Sequence, residues 1–232
     1  MAANIIRRTV AIVTLAICGA LGACGGGGTS SAAGPTSPPI GTTAANVAPV
    51  MLDAGPLAGA GIINTAYVSV TLCVPGSSQC QIVDHVSVDT GSSGLRILAS
   101  ALAAPTAFPA RADGAGSPLG ECMQFADGYS WGPVRAADIK IAGETASNQS
   151  VQIIGDVGFS TAPSACMALG TAEETVAAFG ANGVLGVGVF AQDCGSACVA
   201  APSSPALYYS CPSGSSCQGV AVALSQQVQN PV

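Results

Sequence analysis

One carboxylate in this chain stands where chemistry is easiest to arrange. Val88-Asp89-Thr90-Gly91-Ser92-Ser93-Gly94-Leu95 follows the alternating run His85-Val86-Ser87-Val88. The alternation predicts a β-strand with Val86 and Val88 on one face and His85, Ser87 and Asp89 on the other. A strand that ends in Asp-Thr-Gly presents its carboxylate at a tight turn. Gly91 lets the backbone bend, and the Thr90 and Ser92 hydroxyls are placed to hydrogen-bond nearby backbone and the carboxylate itself. Such a carboxylate can take a proton from water. It cannot also act as the acid, because the two roles need two carboxyl groups close enough to share a proton.

The elements that must position Asp89 are strands. Ile62 to Leu72 and Gln81 to Val88 read as a hairpin, joined by Cys73-Val74-Pro75-Gly76-Ser77-Ser78-Gln79-Cys80. Ile97 to Ala104 suggests a short helical turn, and 105–120 is a Pro/Gly/Ala-rich loop. Cys122 to Phe125 and Tyr129 to Ile141 form a second hairpin about Asp127-Gly128, and Ser150 to Ile154 is a further strand. Thr171-Ala172-Glu173-Glu174 has the capping-box pattern with Gly180 beyond it, which predicts a helix of about two turns. Asn182 to Gly188 is an apolar strand punctuated by glycines, 191–218 is a Cys-rich loop, and Val220 to Val228 has helical character.

Composition agrees with a mainly β chain. Only 8% of the 232 residues are charged, fewer than helical proteins of this size usually carry. Net charge is −6, and once Arg7 and Arg8 leave with a leader, four basic residues face twelve acidic ones, giving −8. Arg96, Arg111, Arg135 and Lys140 are too scattered to assemble a basic patch, so no nucleic-acid partner is expected. Gly183 to Gly188 lacks the order of a dinucleotide-binding loop, and His85, the only histidine, has no Gly-x-Ser-x-Gly to serve. It reads as a surface strand residue. No cofactor or metal is expected.

Residues 1–23 read as an export signal. Arg7-Arg8 precede an apolar core over Thr9 to Ala20, too short to span a membrane. Leu21-Gly22-Ala23-Cys24 resembles the bacterial lipobox, which implies acylation of Cys24, and Gly25 in place of Asp implies delivery to the outer membrane. Residues 24–48 form a Gly/Ser/Pro tether reaching on the order of 25–30 Å, and 49–232 the folded domain. Eight cysteines remain in an exported chain, and an even number reads as disulfides. Spacing suggests Cys73–Cys80 and Cys211–Cys217, with Cys122–Cys166 as a longer pair. Cys194 and Cys198 pair with each other or with the later two, and a four-thiolate zinc site at 194, 198, 211 and 217 is the rival.

Three segments in order resemble the N-terminal lobe of the pepsin-like aspartic peptidases. Asp89-Thr90-Gly91-Ser92-Ser93 is similar to the family's catalytic turn. Phe125-Ala126-Asp127-Gly128, continuing to Ile139-Lys140-Ile141-Ala142-Gly143, sits where the family has its flap hairpin. Val184-Leu185-Gly186 resembles the element that crosses beneath the catalytic turn. The resemblance implies a single, mainly β, disulfide-stapled lobe with two or three short helices, ending before a second lobe. It implies Asp89, Thr90, Gly91 and Ser92 as catalytic residues and Phe125, Asp127 and Gly128 as a substrate-binding flap. Phe125 replaces the family's flap Tyr, and Arg96 stands where a Trp is common, so the hydrogen bond between those side chains is lost. With one Asp-Thr-Gly, catalysis requires a second Asp from a further lobe or from a second copy in a homodimer. The reading is an envelope lipoprotein resembling one lobe of an endopeptidase. Its rival is a non-catalytic peptide-binding or structural lipoprotein of the same fold.

Overall fold

The computed structural model describes residues 44–59 and 61–232. The expected leader, Cys24 and the tether as far as residue 43 lie outside the described residues. The chain joins the folded part at Asn46, whose N–H donates to Ala142 O at 2.9 Å.

Eleven strands follow in order: β1 (Met51–Asp53), β2 (Thr65–Cys73), β3 (Cys80–Asp89), β4 (Ser93–Leu98), β5 (Leu119–Gln124), β6 (Gly128–Ile141), β7 (Glu144–Ile154), β8 (Thr171–Ala172), β9 (Gly183–Val187), β10 (Tyr208–Ser210) and β11 (Gln218–Gly219). Both expected hairpins are present as antiparallel pairs, β2 with β3 and β5 with β6. Neighbours run β2-β3-β9-β4-β7-β6, and β6 returns to β2 by pairing Leu72 with Ile139. Six strands therefore close into a ring, which removes the exposed edges an open sheet would leave. The core inside it includes Val68, Leu72, Val86, Ile97, Ile153 and Leu185.

A one-residue bulge interrupts β3. Val68 faces Val86 but Val70 faces Val83, and His85 takes φ 48°. Simple alternation would send Val83 and Val86 to opposite faces; the extra residue lets both point into the core. Past the bulge the expected alternation holds, with Val86 and Val88 packed on the core and Ser87 and Asp89 turned away from it. His85 is half-buried, its Nε2 3.3 Å from the Asp53 carboxylate.

Three expectations are corrected. Thr171 does not cap a helix: Thr171 and Ala172 form β8, parallel to Gly128 and Tyr129 of β6, and the Glu173 N–H donates to Tyr129 O at 2.8 Å. A strand pairing across the molecule has displaced a local capping pattern. The helices are single turns, α1 (Ser164–Met167), α2 (Val176–Phe179) and α3 (Ala197–Ala200). Thr175 caps α2 by accepting from the Ala178 N–H, while Gly180 closes it at φ 74°. Residues 220–228 hold only a 3₁₀ turn at Leu224–Gln226. Val222 and Val228 are buried beside Tyr208, and the Gln227 side chain donates to Val222 O and Gly195 O, which holds the backbone extended. The turn expected from Ile97 shrinks to Ala99–Ala101, because Ile97 and Leu98 complete β4.

The described residues hold four disulfides, the close pairs Cys73–Cys80, Cys194–Cys198 and Cys211–Cys217 and the longer Cys122–Cys166. The four cysteines of the rival zinc reading are thus two disulfides. The fold class is mainly β, one disulfide-stapled lobe with three short helices.

Candidate functional site

Asp89 is the last residue of β3, and its place is set by β9. That strand runs parallel to β3 with Gly186 beside Asp89, and antiparallel to β4 with the same Gly186 beside Gly94. A side chain at 186 would not fit: a Cβ there would lie 2.6 Å from Ser93 N and 2.7 Å from Ser92 Oγ. The missing Cβ is what lets β9 pass directly beneath the turn.

Within the turn, Asp89 Oδ1 accepts the Gly91 N–H at 2.8 Å. This side-chain-to-backbone bond two residues on fixes the carboxylate's orientation. Neither the exposed Thr90 hydroxyl nor the buried Ser92 hydroxyl makes a hydrogen bond among the described residues. Orientation of Asp89 in this structure comes from the backbone.

The hairpin residues come to the same place. Phe125 N–H donates to Gly128 O at 2.8 Å, closing the tight turn between β5 and β6. Phe125 and Asp127 share a cavity of about 180 Å³ with Ser87, Asp89, Glu173 and Phe179. Phe125 packs edge-to-face on Phe179, centroids 5.7 Å apart at 76°. Gly128 is wedged behind the turn, where a Cβ would lie 2.2 Å from Thr171 O and 2.7 Å from Glu173 Oε1. Gly128→Ala is expected to part β8 from β6 and cost about 1–3 kcal/mol, read as a lowered urea midpoint; an unchanged midpoint would show that β8 yields freely. A larger opening of about 600 Å³ faces the barrel core through Val68, Val88, Ile139 and Leu185, but Glu144 is its only ionisable side chain. It offers little chemistry.

Sequence reasoning missed Glu173 and Phe179. Glu173 is buried, and burial, with the facing Asp127 carboxylate adding to it, pushes its carboxyl group up to about 7. Phe179 carried a usable signal, an aromatic immediately before the predicted helix stop at Gly180. Glu173 carried none, since its place depends on the β6–β8 pairing.

Neither Trp131 nor Tyr129 stands in for the lost flap contact. Trp131 is 1% exposed and donates through Nε1 to Phe159 O at 2.8 Å, within a second cluster that also holds Tyr129 and the Cys122–Cys166 bridge. Arg96 points away from the hairpin turn. It is fully buried, with Nη1 donating to Ser93 O at 2.9 Å and Nη2 to Glu121 Oε1 at 2.5 Å and Asp193 Oδ2 at 2.8 Å. Tyr208 donates to Asp193 Oδ1 at 2.7 Å and accepts the Val228 N–H. Burial drives Glu121 well above the ordinary carboxylate range; Arg96 opposes this and the Asp193 charge adds to it. The signal for these partners lay in Leu95-Arg96-Ile97-Leu98, where a cation among strand-core residues demands buried counter-charges.

A family model described as "Protein of unknown function (DUF3443)" matches residues 42–232. The chain belongs to the DUF3443 family. No curated protein matches it. Among solved structures, an aspartic proteinase from Irpex lacteus aligns at 18% identity and a TM-score of 0.32, over 39% of this DUF3443 chain and 24% of that proteinase. The aligned part is thus about a quarter of the proteinase's length. That similarity is too slight to bear on the residues of the site.

Proposed function

We propose that this DUF3443 protein is an exported lipoprotein whose domain is one lobe of an aspartic-endopeptidase-like cleft, with Asp89 as one of two required carboxylates. The observation that carries this reading is the convergence of the Asp89 turn and the Phe125–Gly128 turn on one cavity, from separate hairpins. A peptide laid between them would bring its carbonyl to Asp89. Cleavage needs an ionised carboxylate to draw a proton from water and a protonated one to donate to the carbonyl oxygen. Asp89 serves as one of these, and a second lobe or a second chain supplies the other. The buried Ser92 hydroxyl, without a partner among the described residues, is free to accept or donate a hydrogen bond once that carboxyl group arrives. Export is supported by the four disulfides, which suit an oxidising compartment. The lipobox-like Leu21-Gly22-Ala23-Cys24 supports anchoring through acylated Cys24 at the outer membrane.

A second reading, peptide binding without catalysis, is favoured by the occurrence of a single Asp-Thr-Gly in the whole sequence. One experiment separates the two. The processed lipoprotein is purified, acylation of Cys24 is checked by mass, and a mixed peptide library is assayed for cleavage from pH 3 to 8 with the wild type and with Asp89→Asn. The catalytic reading expects cleavage that Asp89→Asn reduces at least 1000-fold. Cleavage that survives the substitution refutes it, whereas peptide binding with no cleavage by either form establishes the second reading.

A further inference from the structure

We propose that the cavity beside Asp89 takes a basic side chain, lysine or arginine, of an extended peptide, whose charged end is held by Asp127 and Glu173. The inference rests on reading the Asp89 cleft as a peptide site and adds the class of residue it selects.

The lining of this cavity is of two kinds. Phe125, Phe179, Ala178 and Val184 supply apolar surface, suited to the methylene stem of a long side chain. The two phenyl rings, edge-to-face, also present a π-face on which a cation is attracted. Asp127 and Glu173 line the same cavity.

Glu173 is the decisive residue. It is only 9% exposed, yet no N–H or hydroxyl among the described residues donates to its carboxylate, and no cation pairs with it or with Asp127. The group it faces is a second carboxylate, with which it can only share a proton. A charge on so nearly buried a residue, with no donor to it, is unfavourable, and a paired cation relieves it. Among the described residues none stands at this cavity. Arg96 is taken by Glu121 and Asp193, Arg135 by Asp156, and Arg111 by Asn148 O and Ser150. Lys140 is an exposed residue of β6 paired with Thr71 and Thr145, outside this cavity. Within the described residues no cation reaches Glu173, and a basic side chain entering past Asp89 would bring one. An acidic side chain in the same place would be repelled by three carboxylates.

The test uses the full processed lipoprotein and fluorescent eight-residue peptide pools, randomised except for one fixed residue: lysine, arginine, norleucine or glutamate. Binding is read by fluorescence anisotropy at pH 8 and 0.15 M salt. The lysine and arginine pools are expected to bind at least tenfold tighter than the norleucine pool, whose side chain keeps the stem and lacks the amine, with the glutamate pool weakest. Glu173→Gln is expected to bring the lysine pool down to the norleucine level. Asp127→Asn, at an exposed turn residue, is expected to do the same and serves if Glu173→Gln fails to fold. Equal binding of the lysine and norleucine pools overturns the basic subsite, as does a lysine preference untouched by folded variants; in either case the peptide cleft itself stands. If no pool binds, the peptide reading fails and the subsite falls with it.

Discussion

Replacing Arg96 with methionine is expected to lower the unfolding free energy by about 3–5 kcal/mol at pH 7, because it leaves two buried carboxylates without their cation. Glu121 and Asp193 both lie within hydrogen-bond distance of Nη2, and all three side chains are removed from water. Methionine fills much of the volume, so the loss reports charge more than packing. The effect has a pH signature. Glu121 already holds its proton to higher pH in the fold than in the unfolded chain. A group with a raised folded pKa favours the fold below its unfolded value, near 4.5, and that advantage fades as pH rises through the folded value. Without Arg96 the folded value rises further, so the Arg96→Met penalty should be largest at neutral pH and shrink on acidification. Adding Glu121→Gln should recover about half of it. Urea unfolding of the variants at pH 4 and pH 7 checks this; an equal penalty at both values would mean that Arg96 acts through packing alone. Glu173 contributes with the same sign. With its carboxyl group at about 7 against 4.5, stability should decline between those two values in the wild type.

Removing the Cys122–Cys166 bridge with a pair of alanines is expected to cost about 4 kcal/mol, against about 2 kcal/mol for any of the other three. Its cysteines are 44 residues apart, whereas the others are separated by 7, 4 and 6. A longer closed loop takes more freedom from the unfolded chain. The position adds a second consequence. Cys122 lies on β5, which leads into the turn carrying Phe125 and Asp127. Cys166 lies in α1, just before β8 and Glu173. The bridge thus ties together two segments that line the cavity, and its loss should loosen that cavity along with lowering stability. Urea midpoints of the four double-alanine variants, measured without reductant, give the order directly. A midpoint for the 122–166 variant no lower than the others would show that loop length does not govern these bridges.

What could be read without a structure was whatever neighbouring residues dictate to one another. The Asp89 turn needs only a strand that stops at Asp-Thr-Gly. The hairpin from Cys122 to Ile141 needs only alternation about Asp127-Gly128, and the stop of α2 needs only Gly180. Close spacing suggested Cys73–Cys80 and Cys211–Cys217, the even cysteine count left Cys122–Cys166 as a longer pair, and the partners of Cys194 and Cys198 stayed open. Tertiary structure decided what depends on contacts between distant segments. The bulge at His85 lets Val83 and Val86 share a core. The partners of Arg96 come from β5 and from the loop of Asp193, neither of which the neighbours of Arg96 could specify. Thr171 had a good local reason to begin a helix, but the edge of β6 offered its backbone a better partner. That pairing turned Glu173 from a residue of an expected helix's first turn into a buried part of the cavity lining. Local signals act through a few residues of backbone geometry, so the sequence by itself determined where the chain turns and where Asp89 is presented. What faces Asp89 was decided by the closing of the barrel, because burial and strand pairing act between segments far apart in the chain and outweigh local preference where the two conflict.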